Sequence, residues 1–274
     1  MKIKHSVSIP WHVIFIFTVL LLVFPVIFAI GNSFKSLDEA YSSVLNIIPL
    51  NPTFENYKTF FESLPALKIT INTFIIAFVV TFFKVVTSFL SAYAFVYFQF
   101  KGKNVLYFIL ISTIFIPFTV TMIPNYLIIS DLGLSDKLWG VILPQLADAV
   151  GILLIRQSMK TIPFSLIEVA RLDNMGHGQI MKDIVLPLVR PAVTSTGIWF
   201  FINSWNEYVW PVLILKSTEN YTLPLALQMF ISSEGGTNFT VAMAVSVLTM
   251  IVPLALYIVF QKYIIGTFTT SGIK

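Results

Sequence analysis

The chain has 274 residues, of which 57% are hydrophobic and only 11% are charged, with a formal net charge of +4. Soluble globular proteins carry about 25% charged residues, so this composition indicates a membrane protein and excludes an ordinary soluble domain. In a membrane protein the placement of positive residues matters more than their sum, so the charge does not indicate a nucleic-acid partner. The absence of cysteine excludes disulfides, thiolate metal sites and cysteine nucleophiles, and His5, His12 and His177 are too scattered to suggest a metal site.

Six segments are apolar enough to cross the roughly 30 Å hydrocarbon core of a bilayer as helices. The predicted spans are residues 11–31, 71–96, 105–128, 138–156, 191–215 and 241–265. Lys2 and Lys4 precede the first, as in a signal peptide, but its apolar run is too long for one and no A-x-A cleavage site follows, so it is interpreted as a retained span. No segment between the spans reads as a soluble domain. The sequence therefore predicts a single transmembrane domain over residues 1–274.

The positive residues predict the orientation of these spans. Six spans place both termini on one side, and that side carries eleven of the seventeen Lys and Arg residues. Five lie in the opposite loops, which also hold most of the acidic residues. Because positive residues concentrate in cytoplasmic segments, both termini are predicted to be cytoplasmic, as is the polar segment between spans four and five.

Two ionisable residues within spans two and four are predicted to lie at similar depth. Lys84 is about thirteen residues from the outer end of its span and Asp148 about ten, at 1.5 Å of rise per residue. Charges inside a membrane usually face protein or a watery path. An ion pair between Lys84 and Asp148 is therefore possible, either as a structural link between helices or as part of a substrate path.

The polar segment at about 160–190 is predicted to form a helical hairpin. Thr161 and Pro163 suit a helix start. Apolar residues at helical spacing follow at Leu166, Ile167, Ala170 and Leu172. Asn174, Gly176 and Gly178 are expected to break this helix, since glycine and asparagine accept the left-handed conformation.

The second half of the hairpin is expected to restart as a helix near Gln179. Ile180, Ile184 and Leu188 fall on one face at four-residue spacing. Pro187 and Pro191 are then expected to bend the chain into span five.

The short first helix cannot be stable by itself and must pack against another surface. It packs either on the inner ends of its own spans or among lipid headgroups. Alternatively, it fills a groove on a soluble partner. Glu168 has a further local interpretation, because Ser165 to Glu168 matches a capping box.

Polar residues also cluster in the outer half of span five. Asn203, Trp205, Asn206 and Glu207 combine an aromatic ring with amide and carboxylate groups, as sugar sites do, and are candidates for a substrate path. The alternative is an aromatic belt at the membrane interface, which fits Tyr208 and Trp210 well.

The segment from Glu168 to Pro187 resembles the EAA motif of binding-protein-dependent ABC importer permeases. That motif has Glu-Ala-Ala, a glycine four residues after the second alanine and, after nine further residues, Ile-x-Leu-Pro. The matching positions are Glu168, Ala170, Arg171, Leu172, Asp173, Ile184, Leu186 and Pro187. The chain departs at Val169, where alanine is usual, and at Asn174, where glycine is usual. Asparagine is the least costly substitute for glycine in a left-handed turn, so the turn is expected to survive.

The resemblance extends over nearly the whole chain, to carbohydrate importers of the maltose and glycerol-3-phosphate type. It is also carried by segments 90–108, 131–147, 200–215 and 261–274. It implies an all-α polytopic protein with the type I ABC importer permease fold, six transmembrane helices and a cytoplasmic EAA coupling hairpin, in a bacterial cell membrane. Residues 168–174 would then dock on an ATPase, and Ile184, Leu186 and Pro187 would brace the hairpin against the spans.

The partners that the resemblance implies are a second homologous permease subunit, two cytoplasmic ATPase subunits and an extracytoplasmic sugar-binding protein. The loop at 216–240, with Gly235 and Gly236 at its tip, would touch the binding protein. The tail from Ser271 to Lys274 would approach the ATPases. No G-x-x-x-x-G-K-[ST] phosphate loop is present, so this chain is expected to bind no cofactor and to hydrolyse no ATP, while ATP and Mg²⁺ belong to the ATPase partner.

Two other functions compete with this interpretation. A self-contained channel or secondary carrier for a small polar solute needs no partner-docking hairpin and often shows inverted repeats, none of which is clear here. An intramembrane enzyme would need a nucleophile or metal constellation, and the sequence suggests none.

Overall fold

The computed structural model describes residues 9–43, 46–231 and 238–269, with side chains described between residues 11 and 261 of those ranges. Within these ranges the chain forms helices and no strands. The α-helices in chain order are α1 (Ile9–Ser33), α2 (Leu37–Ser42), α3 (Glu55–Ser63), α4 (Ala66–Tyr97), α5 (Lys103–Ser112), α6 (Phe118–Asp131), α7 (Leu138–Ile142), α8 (Ala149–Met159), α9 (Phe164–Leu172), α10 (His177–Gln179), α11 (Leu186–Trp205), α12 (Val209–Ile214), α13 (Leu223–Ile231) and α14 (Phe239–Thr269). The predicted all-α class is confirmed for this part of the chain.

Four of the described helices are long and apolar enough to cross a membrane singly, and two bent pairs qualify if each is one span. The single helices are Trp11–Ser33, Ala66–Tyr97, His177–Trp205 and Phe239–Gln261. The bent pairs are Lys103–Phe115 with Phe118–Asp131, and Leu138–Gln145 with Ala149–Met159. The described residues thus provide up to six spans.

The predicted third span, 105–128, is not one straight helix. Its two halves meet at an angle of 98°. Ile116, directly before Pro117, is extended with φ −81° and ψ 114°. A proline ring disfavours the helical conformation in the residue before it, so the break falls where the chemistry of the backbone requires it.

The predicted fifth span, 191–215, differs from the observed helix at both ends. The helix begins at His177 and runs to Trp205, and a separate helix, α12, follows after a short break. Between α10 and α11 lies a π-helical segment, Ile180–Val185. Pro187 and Pro191 lie inside the continuous helix, so the helix does not break at these prolines.

The described residues separate into two compact units. One is formed by the chain up to Ala66 together with Ala226–Ile251, and the other by Leu67–Leu225 together with the chain from Val252 onward. The interpretation of the chain as a single transmembrane domain stays a prediction.

In the first unit, a buried lysine organises the loop after α1. Lys35 is fully buried and its Nζ donates to the backbone carbonyls of Ser43 and Asn46. The Asn56 side chain donates to the carbonyls of Ser33 and Lys35 at 2.8 and 2.7 Å. The Asn56 bonds satisfy carbonyls at the end of α1 that have no partner within the helix, and the Lys35 bonds satisfy carbonyls of the loop after α2.

Two buried apolar clusters lie among the described residues of the second unit. The hairpin cluster joins α4, α8, α9 and α11 and consists of Ala92, Tyr93, Tyr97, Ile155, Met159, Ile167, Ala170, Ile180, Val185 and Val189. The α12 cluster joins α4, α6, α7 and α12 and consists of Ile76, Val80, Ile129, Val141, Ile142, Trp210, Ile214, Leu215 and Leu225. The first cluster holds the polar hairpin on the ends of the spans.

Candidate functional site: the polar hairpin and the polar residues of the spans

Helix α9 begins directly after Pro163, whose φ of −57° already suits a helix. This N-cap has no side-chain hydrogen bond, and Ser165 lies one residue inside the helix. The capping box from Ser165 to Glu168 is therefore wrong, because a capping box requires its serine at the N-cap.

The inward face of α9 is short and fully buried. Ile167 is 0% and Ala170 3% exposed, and both belong to the hairpin cluster. A buried isoleucine contributes roughly 1.5–3 kcal/mol, so this contact fixes the helix on its own spans. The expectation that α9 packs on the ends of its own spans is confirmed for this face.

The outward face of α9 remains uncovered in the single chain. Leu166, Val169 and Leu172 are exposed, and Leu172 is 80% exposed. Glu168 and Asp173 are also exposed on this hairpin. A nine-residue helix that is apolar on both sides has one face available for another surface.

The turn after α9 is a Schellman motif with Asn174 in its left-handed position. Asn174 has φ 56°, its N–H donates to the Arg171 carbonyl, and the Met175 N–H donates to the Ala170 carbonyl, both at 3.0 Å. Met175 then packs against the hairpin cluster. The prediction that asparagine replaces glycine in this turn is confirmed. Gly176, with φ −72°, and Gly178, inside α10, do not take the left-handed role predicted for them.

The π-helical segment changes which residues face inward. Ile180 and Val185 are buried, five residues apart, and Val189 is buried four residues later. One extra residue in this turn moves the inward position from 184 to 185. The predicted face of Ile180, Ile184 and Leu188 is therefore wrong for Leu188, which is exposed, while Ile184 is partly buried against the hairpin cluster.

The bracing role implied for Ile184, Leu186 and Pro187 stays a prediction, and the three residues differ in burial. Ile184 packs against the hairpin cluster, whereas Leu186 and Pro187 are exposed. Val185 and Val189 supply the buried contacts instead.

A histidine joins the second half of the hairpin to the end of α4. The Tyr93 hydroxyl lies 3.0 Å from His177 Nδ1, and the Phe98 ring meets the imidazole edge-on with centroids 4.6 Å apart. Arg171 Nη2 donates to the Tyr97 carbonyl at 3.4 Å. Sequence reasoning missed this anchor, and the only signal was the cluster of aromatic residues at the end of span two.

Lys84 and Asp148 form the predicted intramembrane pair. Lys84 Nζ lies 3.3 Å from Asp148 Oδ2, with side chains 15% and 22% exposed. Asp148 Oδ1 accepts from the backbone N–H groups of Val150 and Gly151 and so caps α8. Lys84 Nζ also lies 5.2 Å from the centroid of the Phe200 ring. Both side chains therefore contact other residues of the same chain, which favours a structural link between helices over a place in the substrate path.

The aromatic residues near the end of α11 are buried, in contrast to both expectations for them. Trp205 is 1% exposed and its ring stacks on Phe201 with centroids 5.8 Å apart, so it does not line a path in this chain. Trp210 is 2% exposed and its Nε1 donates to the Gly140 carbonyl at 3.2 Å. The aromatic-belt interpretation is therefore wrong for Trp210, which is a core residue of the α12 cluster.

The remaining polar candidates of span five lie at the break between α11 and α12. Asn203 and Asn206 are exposed, and their amides donate to backbone carbonyls four residues earlier. Glu207 is partly buried, and its Oε1 accepts from the Trp210 backbone N–H at 3.2 Å. A break in a helix leaves the first N–H groups of the next helix unpaired, and Glu207 satisfies one of them at the start of α12. The Asn206 amide shares the Ile202 carbonyl with the Asn206 backbone N–H, so its bond is an additional one.

Asp136 ties the loop before α7 to the segment after α12. Its carboxylate accepts from the N–H groups of Lys216 and Ser217 at 2.8 and 3.0 Å, and from the Ser217 hydroxyl. Burial would raise the pKa of this carboxyl, but the hydrogen bonds to its charged form outweigh burial and hold the pKa far below the usual range. Sequence reasoning missed this residue.

No group of three or more histidine and acidic residues that could hold a metal ion occurs among the residues described. The loop tip at Gly235 and Gly236 and the tail from Ser271 to Lys274 lie outside the described residues.

These features define a multi-pass helical membrane protein that carries an exposed amphipathic helix between two spans. The chain matches the family described as binding-protein-dependent transport system inner membrane component over residues 84–267, and it belongs to that family. It is thus a transport subunit of an inner membrane rather than an enzyme. A subunit of a binding-protein-dependent system works with other proteins, which argues against the self-contained channel or carrier.

The chain is similar to curated permeases over nearly its full length. It is 31% identical over 269 residues to the sn-glycerol-3-phosphate transport system permease protein UgpE of Yersinia enterocolitica, covering 96% of both chains. It is 30% identical over 262 residues to the protein of the same description from Rhizobium meliloti, covering 93% of both.

A solved structure has the same fold. It is described as a bacterial ABC transporter involved in the import of the acidic polysaccharide alginate, and the match has a TM-score of 0.79 at 26% identity, covering 96% of this chain and 99% of that chain. A second structure, of a bacterial alginate ABC transporter with a pentasaccharide-bound periplasmic protein, matches with a TM-score of 0.66 at 15% identity, covering 91% of both chains. The latter likeness concerns the fold alone.

Proposed function

We propose that this chain is one of two permease subunits of an ATP-driven importer for a carbohydrate or a related polar solute. The family and the permeases that it resembles support this function, and the alginate importer supports a carbohydrate substrate. In this proposal both termini and the polar hairpin face the cytoplasm, in agreement with the distribution of Lys and Arg. An extracytoplasmic binding protein delivers the solute to the opposite side.

The observation that carries the coupling proposal is the division of α9 into two apolar faces. Ile167 and Ala170 fix one face on the spans, while Val169 and Leu172 expose the other. A helix with an exposed apolar face suits a groove on a soluble partner, and the partner proposed is a cytoplasmic ATPase. Glu168 and Asp173 lie beside this face and would contact the rim of the groove.

The contacts of the hairpin explain how a movement of the ATPase would reach the spans. The Schellman turn at Asn174 and the bond between His177 and Tyr93 tie the docking helix to α4. The continuous helix from His177 to Trp205 carries the same movement into span five. Because packed interiors transmit displacement rather than absorb it, the hairpin would move the spans as a lever. ATP and Mg²⁺ act on the ATPase, and this chain contributes the docking surface.

An assembly experiment tests the coupling proposal. The full chain, carrying Leu172→Asp, is co-expressed with its partner permease and ATPase and purified through a tag on this chain. A hot-spot residue costs 2 kcal/mol or more when lost, so ATPase recovery is expected to fall by roughly tenfold or more.

Matched variants distinguish docking from misfolding. Leu132→Asp changes the same residue type at a 61% exposed site in the loop after α6 and is expected to leave ATPase recovery unchanged. Val169→Ala introduces the residue usual in the EAA motif and is expected to keep assembly. Normal recovery of the ATPase with Leu172→Asp would show that this face of α9 is not the docking surface.

The substrate path is proposed to include Asn203, Asn206 and Glu207. They are the candidates of span five that stay accessible, since Trp205 is buried. Glu207→Gln keeps a hydrogen-bond acceptor for the Trp210 N–H but removes the charge. A change in solute affinity or transport rate, with unchanged ATPase assembly, is expected, and unchanged transport would remove Glu207 from the path.

A further inference from the structure

A groove of about 410 Å³ lies where the ends of α4 and α8 and the start of α5 meet. Its polar wall carries three cations, Lys103, Arg156 and Lys160, and two amides, Gln99 and Asn104. Phe164, the first residue of α9, also lines it. The groove therefore lies at the base of the proposed docking helix.

The three cations have no acidic counterpart. No carboxylate lines the groove, and none of the three forms an ion pair with any residue that the structure describes. Lys103 Nζ donates to the Phe98 carbonyl at 2.7 Å, which leaves its charge uncompensated. Lys160 is exposed.

Arg156 is positioned by an aromatic ring and forms no ion pair with a described residue. Its guanidinium carbon lies 3.8 Å from the centroid of the Tyr107 ring, so the ring fixes the plane of the fork. Its Nε is buried and has no acceptor among the described residues. A guanidinium fork suits phosphate oxygens, and Arg156 lines the groove with one of its donors unused.

We propose that this groove binds the phosphate of an anionic phospholipid from the cytoplasmic leaflet, an inference that rests on the proposed orientation of the chain. Basic pockets between the cytoplasmic ends of transmembrane helices suit anionic headgroups. The exposed apolar side chains of Val105 and Leu106 follow immediately on α5, where acyl chains would lie. The lipid phosphate neutralises the three cations, and its contact with Phe164 stabilises the start of α9.

Native mass spectrometry of the purified full chain tests this proposal. Detergent micelles contain equal amounts of phosphatidylglycerol and zwitterionic phosphatidylcholine, and the retained lipids are counted. The wild-type chain is expected to retain phosphatidylglycerol preferentially. Replacing Lys160 with glutamine is expected to weaken retention about fivefold, since each cation near a membrane surface contributes a factor of this size.

A matched pair of triple variants shows whether the groove, rather than total charge, binds the lipid. The groove variant is Lys103→Gln/Arg156→Gln/Lys160→Gln. The control is Lys101→Gln/Lys182→Gln/Arg190→Gln, which removes the same charge from exposed residues that do not line the groove. The groove variant is expected to lose the preference and the control to keep it. The Lys160 single variant covers the case in which the groove triple variant does not fold.

Three results would overturn the proposal. The first is equal retention of the two lipids by the wild type, and the second is equal loss in the groove and control variants. The third is displacement of phosphatidylglycerol by inorganic phosphate alone, which would indicate a site for soluble phosphate. Assembly of the groove variant with the ATPase is measured separately. If the wild type binds no lipid and the groove variant loses the ATPase, the groove contacts an acidic protein surface instead. Normal ATPase recovery with Leu172→Asp would contradict only the coupling proposal.

Discussion

The left-handed backbone of Asn174 makes the turn after α9 sensitive to the side chain at this position. A left-handed residue with a Cβ atom costs roughly 1–2 kcal/mol, and asparagine reduces this cost through its short polar side chain. At φ 56° we expect Asn174→Ala to destabilise the turn by about 1 kcal/mol. Asn174→Gly removes the steric cost but increases the entropy of the unfolded chain, so it is expected to be neutral or slightly stabilising.

Hydrogen exchange at the Met175 N–H reports this change locally, because that group donates to the Ala170 carbonyl at 3.0 Å within the turn. A cost of about 1 kcal/mol corresponds to exchange roughly fivefold faster in Asn174→Ala. Asn206 provides the control, since it also ends a helix but has φ −90°. There the order is expected to reverse, with glycine more destabilising than alanine. An Asn174→Gly variant that exchanges faster than Asn174→Ala would refute the left-handed turn as the determinant.

Three further predictions concern the packing and the ion pairs. A Cβ at Gly151 would overlap the Phe200 ring and the Ser88 hydroxyl, so Gly151→Ala is expected to lower the stability measured by thermal unfolding by about 1–3 kcal/mol. Gly197→Ala is the control and is expected to cause no such loss, because the nearest atom to its Cβ would be 3.4 Å away. Asp148→Asn leaves Lys84 unpaired and is expected to lower the free energy of unfolding by roughly 1–3 kcal/mol. Adding Lys84→Met should recover part of this loss, because removing both charges is less costly than removing one. A double variant whose loss equals the sum of the two single losses would contradict the pairing. Because the folded-state pKa of Asp136 is depressed, the carboxylate stabilises the folded chain above its unfolded pKa of about 3.9, and this stabilisation is lost as pH falls through the folded pKa. The difference in unfolding free energy between the wild type and Asp136→Asn should be constant at neutral pH and shrink only below about pH 4. A difference that shrinks near pH 6 would contradict this assignment.

The sequence predicted the elements whose signal is local. The apolar run of α1 is a property of consecutive residues, and the turn at Asn174 follows from the type of residue at one position. The pair of Lys84 and Asp148 was predicted from the rise of a helix, although Asp148 lies at the break before α8 rather than within a continuous helix.

The errors arose where one residue changes the register of everything that follows. A helical wheel assumes constant spacing, so it placed Ile184 and Leu188 on the same face as Ile180. The π-helical segment Ile180–Val185 breaks that assumption and brings Val185 inward. Burial of Trp205 and Trp210 was equally unpredictable, because a tryptophan near a membrane interface and one in a core have the same local pattern.

The π-helical segment also explains how the hairpin serves two requirements. Ile180 must face the hairpin cluster to hold the turn after α9, and Val189 must face the same cluster to pack α11. Val189 lies nine positions after Ile180, whereas positions on one face of an α-helix recur after three, four, seven and eight residues. One wide turn supplies the difference, so both residues are buried without a break in the helix from His177 to Trp205. The continuous helix is what links the base of the docking helix directly to span five, and a break at this point would separate the two.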